Sequence, residues 1–265
     1  MTRLPEAAAA RVDDLAAMLA ANRFMPAPPP ELMLCGDGDF RAIGAEFLTH
    51  FVRLGGLLAH ERMLDLGCGV GRMAIPLTQY LQDSGLYHGV DVAAPCVAWC
   101  RQVITPVYPN FRFTHLDVAH ALYNPAGIEM GNRVRLPFED AAFDFVALVS
   151  VLTHVDPPTL DHYAHEIARL LAPGGRCFAT AFLLNGPSRA GIAAGTARPG
   201  FADAAAESVL YADPAAPLAA VAYDEDRFLA AFLAAGLRRR RPARYGNWSG
   251  RAEPVFQDIC ILERD

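Results

Sequence analysis

The segment Met63-Leu64-Asp65-Leu66-Gly67-Cys68-Gly69-Val70-Gly71-Arg72 decides the fold of this chain. An apolar run carries a carboxylate, three glycines then alternate with other residues, and an amphipathic stretch begins at Met73. This order predicts a buried strand, a tight turn and a helix. Glycine permits positive φ and close approach, and a helix begins with unpaired N–H groups. The turn is therefore suited to holding a polar ligand against bare backbone.

Two classes of ligand are consistent with such a turn, and a purely structural turn is a third interpretation. A dinucleotide fold uses Gly-x-Gly-x-x-Gly, with the pyrophosphate on the helix N-terminus. Here the glycines are Gly67, Gly69 and Gly71, and Arg72 stands where the third dinucleotide glycine would be. Asp65 favours a ligand with a cationic amino-acid end over a ligand with two phosphates.

Strand-like and helix-like stretches alternate from residue 62 onward, which predicts a parallel sheet with helices on both faces. The first five predicted strands are 62–66, 86–90, 111–115, 143–149 and 176–183. A helix is predicted before them over 43–58, and the helix after the first strand is predicted over about 72–82. Ligands of such sheets gather at the carboxyl ends of the strands. Asp91 and Asp117 follow the second and third strands, where they suit ribose hydroxyls and an adenine amine. Each carboxylate alone also fits a turn cap, but with Asp65 and the glycine turn they favour an adenosyl ligand.

With these residues, the stretch 63–180 resembles the class I S-adenosylmethionine (SAM) dependent methyltransferases. Their first motif is an acidic residue followed by Gly-x-Gly-x-Gly, and further matches occur in order along the chain. These matches are 89–91, 116–118, 143–145 and 171–175. The resemblance implies a seven-stranded, mostly parallel Rossmann-like sheet of order 3-2-1-4-5-7-6. Its antiparallel last strand would come from a closing pair predicted at 237–245 and 255–262.

The resemblance also implies SAM as the cofactor and S-adenosylhomocysteine as its product. The expected cofactor-binding residues are Asp65, Gly67, Cys68, Gly69, Gly71, Arg72, Asp91, Val92, Asp117, Val118, Ser150 and Val151. Arg72 equally fits a surface position at the start of a helix. In this family the segment before the first motif often folds over the cofactor, which makes Phe40 and Gly44 candidates near the ligand. Ordinary packing at a helix start is the alternative for both residues.

Methyl transfer requires the protein to align the acceptor, exclude water and, where needed, remove a proton. His154 follows the fourth strand and is the predicted base, with Asp156 orienting it or contacting the substrate. The alternative is that His154 caps or packs against the next helix. Tyr123, Tyr245 and Trp248 are predicted to contact the substrate, with plain loop packing as the alternative.

Composition narrows the partners and the chemistry. All 23 basic residues are arginine, which excludes a lysine nucleophile, and the net charge of −6 gives no general attraction to nucleic acid or anionic membrane. The six cysteines, Cys35 among them, do not complete a zinc set with histidine, so no metal is predicted. The arginines at 238–241 fit a charged strand edge, although they also raise RNA binding as an alternative.

The predicted organisation is an N-terminal helical arm and lid over residues 1–60, then a methyltransferase domain over 61–265 with a cap insertion at 185–222. The arm would cap the domain or pair with a second copy in a homodimer. Without a signal-peptide or transmembrane pattern, a cytoplasmic location is expected. The predicted reaction is methylation of a small molecule, of glycan or natural-product type, with oxygen slightly favoured over nitrogen. The alternatives are an NAD(P)-dependent oxidoreductase, a non-catalytic SAM-binding protein and an RNA methyltransferase.

Overall fold

The computed structural model describes residues 6–33, 38–202 and 207–265, with side chains from residue 11 onward, so Cys35 lies outside the described residues. The chain divides into two compact units. The first comprises Met1–Asp117 with Phe143–Phe145, and the second comprises Val118–Ala142 with Val146–Asp265. These units do not coincide with the predicted arm (1–60) and domain (61–265). That division stays a prediction.

The first unit consists of four helices and a three-stranded parallel sheet among its described residues. The helices are α1 (Glu6–Ala21), α2 (Phe40–Arg53), α3 (Ala74–Leu77) and α4 (Ala94–Val103). The strands are β1 (Arg62–Leu66), β2 (Leu86–Asp91) and β3 (Phe111–His115). Strand β2 lies between the other two and is parallel to both. The carboxyl ends of all three strands therefore meet at one edge, as predicted.

Two helices of the first unit differ from their predicted bounds. Helix α2 was expected over 43–58 but begins at Phe40, because the Asp39 side chain caps it by accepting from the Ala42 amide at 2.8 Å. Helix α3 was expected to extend from about 72 to 82 but ends at Leu77. Pro76 has no N–H to donate to the Arg72 carbonyl, which shortens the helix at its start. The amides after Leu77 bond mostly three residues back, as in a tight 3-10 turn.

The second unit holds most of the remaining strands. Strand β4 (Phe143–Leu148) is divided between the two units. The helices are α5 (Pro157–Leu170), α6 (Gly186–Ala193) and α7 (Glu225–Ala234). The other strands are β5 (Leu171–Leu184), β6 (Val209–Tyr211), β7 (Val221–Asp224), β8 (Leu237–Arg239) and β9 (Asp258–Arg264).

Strand β5 organises the sheet of the second unit by pairing with β4, β7 and β9. Its residues 176–181 pair antiparallel with β9, and its residues 182–184 pair parallel with β7. Strand β8 pairs antiparallel with β9, which confirms the predicted antiparallel closing pair. The predicted strand 237–245 is cut short at Arg239. Pro242 cannot donate to a ladder, and pairing resumes only as an isolated bridge between Arg244 and Ile259.

The α/β Rossmann-like class with a mostly parallel core sheet is confirmed, but the described residues form nine strands rather than the seven predicted. The two additional strands are β6, which lies within the predicted insertion at 185–222, and β7, which begins at its end and extends to Asp224. Leu210 and Ala222 of this pair are buried with Trp248 in a separate apolar cluster. Within the described residues, no helix has the length and apolarity needed to cross a membrane.

Candidate functional site

The glycine turn after β1 is held in place by strand β2. The amides of Gly67 and Cys68 both donate to the carbonyl of Val90, at 2.8 and 3.0 Å. Gly67, Gly69 and Gly71 have φ values of +83°, +50° and +72°, which side-chain-bearing residues rarely adopt. The alternating glycines are therefore required by the backbone path.

The glycines differ in what surrounds them. A Cβ atom added at Gly71 would lie 2.8 Å from Cδ1 of Ile104 and 3.2 Å from Sγ of Cys100, so helix α4 packs directly on the turn. A Cβ atom added at Gly69 would have no described residue other than its chain neighbours within 4 Å. The turn therefore has one packed glycine and one that leaves open space beside bare backbone.

Asp65 is the buried carboxylate of the site, with 1% of its surface exposed. Its Oδ2 accepts a hydrogen bond from the Tyr87 hydroxyl at 2.5 Å, whereas Oδ1 has no hydrogen-bond partner among the described residues. Burial raises the pKa of Asp65 to about 7. An unpartnered buried carboxylate oxygen fits an ammonium ligand, because an unmet polar atom in such a place is costly.

Asp91, at the end of β2, connects its strand to the turn. Its Oδ2 accepts from the Gly69 amide at 2.7 Å, and its Oδ1 accepts from the Ala93 amide at 2.8 Å. Burial raises the pKa of Asp91, and these amide hydrogen bonds oppose that rise. Each carboxylate oxygen has two lone pairs, so Asp91 retains acceptor capacity for ribose hydroxyls.

The third strand end carries Asp117, which is exposed two residues beyond the end of β3. The neighbouring His115 donates from Nε2 to the carbonyl of Val92 at 3.1 Å, which ties the end of β3 to the segment after β2. Asp65, Asp91 and Asp117 thus end three adjacent parallel strands of the first unit. The structure brings these predicted strand-end carboxylates to one edge.

Helix α2 contacts the glycine turn at Arg72, the last residue of the turn segment. The guanidinium of Arg72 lies 5.6 Å from the centre of the Phe40 ring, a cation–π arrangement. A Cβ atom added at Gly44 would lie 2.6 Å from the Arg72 carbonyl oxygen. The segment expected to act as a lid therefore packs against the turn through both of its candidate residues.

In the second unit, Ser150 follows β4 with a φ of +58°, an uncommon conformation for a residue other than glycine. Its amide donates to Oγ1 of Thr180 at 2.8 Å, and its hydroxyl donates to Oε1 of Gln257 at 3.1 Å. Val118 is buried and Val151 is half-buried. Sequence reasoning missed Gln257 as a partner, because it lies 107 positions from Ser150 and no local pattern connects them.

His154, the predicted base, is half-buried with its tautomer set by a backbone contact. Its Nδ1 donates to the Leu218 carbonyl at 3.0 Å, which leaves the lone pair on Nε2. Burial lowers the pKa of His154, so the ring is neutral near pH 7. The rings of His154 and Tyr123 are nearly perpendicular with centroids 5.7 Å apart, and the His120 ring stacks on Tyr123 with centroids 4.8 Å apart.

Asp156, predicted to orient His154 or contact substrate, is the N-cap of helix α5. Its Oδ1 accepts from the Thr159 amide at 3.0 Å. The group that orients the imidazole is the Leu218 carbonyl, which the sequence did not reveal because it belongs to the insertion.

Trp248 does not line a substrate surface, which corrects the expectation from the sequence. Only 1% of its surface is exposed, and its ring packs against Phe182 and Phe201 at centroid distances of 5.1 and 5.7 Å. Its indole N–H donates to Oδ2 of Asp258 at 2.7 Å. Burial and this buried hydrogen bond make Trp248 a core residue of the second unit.

Tyr245 remains half-buried, with its hydroxyl 2.9 Å from both carboxylate oxygens of Glu225. The Arg251 guanidinium lies 4.2 Å from the centre of its ring. Of the predicted aromatic contacts, Tyr123 and Tyr245 therefore keep partly accessible positions, whereas Trp248 does not.

The arginine run at 238–241 is largely paired with acidic side chains. Arg238 and Arg240 lie 3.3 and 3.8 Å from carboxylate oxygens of Glu263, and Arg239 lies 3.7 Å from Glu225. Such pairing agrees with a charged strand edge. Among the described residues, no group of histidine, cysteine and acidic side chains could hold a metal ion.

Residues 64–179 match a family model described as a methyltransferase domain. The matched residues include the glycine turn, all three strand-end carboxylates and the segment that carries His154.

Three relatives are similar over part of their length. A demethylmenaquinone methyltransferase of Lactiplantibacillus plantarum is 32% identical over 45% of this chain and 44% of that protein. A 27-O-demethylrifamycin SV methyltransferase of Amycolatopsis mediterranei is 33% identical over 55% of this chain and 48% of that protein. A tRNA N(3)-cytidine methyltransferase of Danio rerio is 29% identical over 45% of this chain and 31% of that protein. The chain thus spans less than half the length of these relatives.

Solved structures share the fold at low sequence identity. The PH0226 protein from Pyrococcus horikoshii has a TM-score of 0.59 and 15% identity, covering 87% of this chain and 93% of that one. A 1,6-didemethyltoxoflavin-N1-methyltransferase from Burkholderia thailandensis, crystallised with S-adenosylhomocysteine, has a TM-score of 0.55 and 16% identity. It covers 100% of this chain and 92% of that one.

Proposed function

We propose that this chain is a class I SAM-dependent methyltransferase that acts on a small molecule, because residues 64–179 match a family model described as a methyltransferase domain. Oxygen is slightly favoured over nitrogen as the acceptor atom. The observation that carries the proposal is Asp65, a buried carboxylate whose Oδ1 has no partner among the described residues. Beside it, the turn at Gly69 leaves open space against bare backbone.

The residues present in the first unit fit SAM by their chemistry. Bound SAM supplies a methyl carbon made electrophilic by its sulfonium. Oδ1 of Asp65 would accept from the ammonium of the methionine end, and Asp91 would accept from the ribose hydroxyls. Asp117, exposed beyond β3, would accept from the adenine amine. Each assignment matches an acceptor in the chain to a donor in the ligand.

His154 is the proposed proton acceptor for the methylated group. Its Nδ1 is engaged with the Leu218 carbonyl, so the remaining lone pair on Nε2 is the basic site. Since burial lowers the pKa of His154, the ring is in its basic form at neutral pH. This arrangement suits removal of a hydroxyl proton, which supports oxygen as the acceptor atom.

Two lines of support favour a small molecule over RNA. The relatives from Lactiplantibacillus and Amycolatopsis are named for small molecules, although the Danio relative is named for a tRNA. RNA binding depends on basic side chains that neutralise phosphates. Arg238, Arg239 and Arg240 already lie beside the carboxylates of Glu225 and Glu263. The match of residues 64–179 to a methyltransferase-domain model disfavours the alternative of an NAD(P)-dependent oxidoreductase.

Isotope tracing tests the proposal. Purified protein is incubated with methyl-labelled SAM and either a metabolite extract or total RNA, and both fractions are analysed by mass spectrometry. We expect label in a small molecule, formation of S-adenosylhomocysteine, and loss of most of this activity in His154→Asn. His165→Asn is the matched control, because His165 is exposed and bonds only to its own helix through Asp161.

Label confined to RNA would contradict the small-molecule proposal. Binding of SAM without turnover in any fraction would instead favour a non-catalytic SAM-binding protein.

A further inference from the structure

Tyr87 reaches the Asp65 carboxylate because of strand register. In the parallel pair β1 and β2, Tyr87 stands opposite Met63. Residues two apart on a strand point to the same face, so Met63 and Asp65 share the face to which Tyr87 also contributes. The hydroxyl of Tyr87 can therefore donate to Oδ2 of Asp65, at 2.5 Å.

The Tyr87 ring is fixed by aromatic packing. It stacks on Phe111 with centroids 5.1 Å apart and an interplanar angle of 18°, and its centroid lies 5.7 Å from that of Phe113. The side chain is fully buried. Because the hydroxyl is held rigidly, it fixes the orientation of the Asp65 carboxylate. The carboxylate then loses little conformational entropy when a ligand binds.

The two oxygens of Asp65 consequently have different roles. Oδ2 is occupied by the hydroxyl of Tyr87, and Oδ1 is buried without a partner among the described residues. We infer that Tyr87 is a positioning residue for the cofactor, holding Asp65 ionised and oriented so that Oδ1 receives the ligand's ammonium. This inference rests on the proposed use of SAM but not on the identity of the acceptor.

The electrical surroundings of Asp65 show why such help is needed. Burial disfavours its charge most, and the nearby charge of Asp91 disfavours it further. The thiols of Cys68, in the turn, and Cys100, on α4, face the same region and supply no positive charge. Together these surroundings raise the pKa of Asp65 to about 7, and the hydrogen bond from Tyr87 opposes that rise.

The variant Tyr87→Phe keeps the packed ring and removes only the hydroxyl. We expect its dissociation constant for S-adenosylhomocysteine to rise about tenfold at pH 7 by calorimetry, since hydrogen bonds to charged groups are strong. Wild-type affinity should increase as pH rises through about 7, because the ammonium needs an ionised Asp65. In Tyr87→Phe this increase should occur at higher pH.

A double-mutant cycle separates positioning from a general structural effect. In an Asp65→Asn background, Tyr87→Phe should change the dissociation constant by less than about twofold, because the carboxylate it serves is gone. Tyr80→Phe is the matched control in the same unit: its hydroxyl donates to the Leu57 carbonyl at 2.7 Å, away from Asp65. That control should bind like wild type, and thermal melting verifies that every variant folds.

The outcomes distinguish failure of the positioning role of Tyr87 from failure of the proposed use of SAM. If wild type binds but Tyr87→Phe binds equally well, or loses the same factor with and without Asp65, the positioning role is wrong. If folded wild type does not bind S-adenosylhomocysteine at any pH, the proposed use of SAM fails instead.

Discussion

The Gly69 amide donates to the Asp91 carboxylate at 2.7 Å, so the end of the second strand holds the glycine turn of the first. The other Asp91 oxygen accepts from the Ala93 amide at 2.8 Å. The Asp91 side chain therefore fixes two backbone segments, the glycine turn after β1 and the segment after β2. The turn is ordered by the protein itself, which lowers the entropy that a ligand would have to lose.

Removing this carboxylate should weaken cofactor binding strongly. Asp91→Ala loses the ribose acceptor and releases the Gly69 amide, and each hydrogen bond to a charged group contributes about 1.5–3 kcal/mol. We expect the dissociation constant for S-adenosylhomocysteine to rise at least about 30-fold, measured by calorimetry. Asp83→Ala, an exposed position in the same unit, should bind normally. Equal affinity in both variants would show that Asp91 does not contact the ligand.

Gly71→Ala should destabilise the protein by backbone strain and by a clash. Its φ is +72°, and the added Cβ would lie 2.8 Å from Cδ1 of Ile104. Gly174→Ala is the control for strain alone, because its φ is +73° with nothing within 4 Å of the added atom. By urea denaturation we expect a loss of about 1 kcal/mol at Gly174 and about 2–4 kcal/mol at Gly71. Similar losses at both positions would contradict close packing at the turn.

Trp248→Phe should reveal the structural role of Trp248 through its pH dependence. Burial raises the pKa of Asp258 to about 6, above its ordinary value of 3.8, so ionisation of Asp258 lowers stability progressively as pH rises between those values. The indole N–H stabilises the ionised form. The variant's deficit in unfolding free energy should therefore be larger at pH 8 than at pH 5, by about 1–3 kcal/mol. A deficit independent of pH would contradict the hydrogen bond.

The ion-paired arginine run predicts weak, non-specific contact with RNA. Arg238 and Arg240 lie beside the carboxylate of Glu263, which lowers the positive potential that this strand edge offers to phosphates. A salt titration of RNA binding should give a shallow dependence of affinity on salt. Glu263→Gln should make that dependence steeper by removing the negative charge that both guanidinium groups face. A steep dependence in wild type would favour an RNA substrate.

The strand-end carboxylates were predictable because they follow from local patterns. Asp65, Asp91 and Asp117 each lie at or just after the end of a predicted strand, and a parallel sheet brings the carboxyl ends of its strands to one edge. Helix α3 was placed correctly but its length was not, because the effect of Pro76 competes with helical periodicity.

The partners of the site residues were not predictable in the same way. Tyr87 meets Asp65 only through the register of two strands, and Gln257 meets Ser150 across 107 residues. Leu218 orients His154 from an insertion without periodic sequence. Trp248 was misassigned because a loop aromatic carries no sequence signal of burial, and its depth follows from packing against Phe182.

The most direct test of the central claim is calorimetric titration of S-adenosylhomocysteine into wild type and Asp65→Asn between pH 6 and 8. Wild type should bind with an affinity that increases as pH rises through about 7, where Asp65 ionises. Asp65→Asn should bind at least about tenfold more weakly, without that increase. No heat with folded wild type, or equal affinity in both proteins, would contradict a cofactor site built on the Asp65 carboxylate.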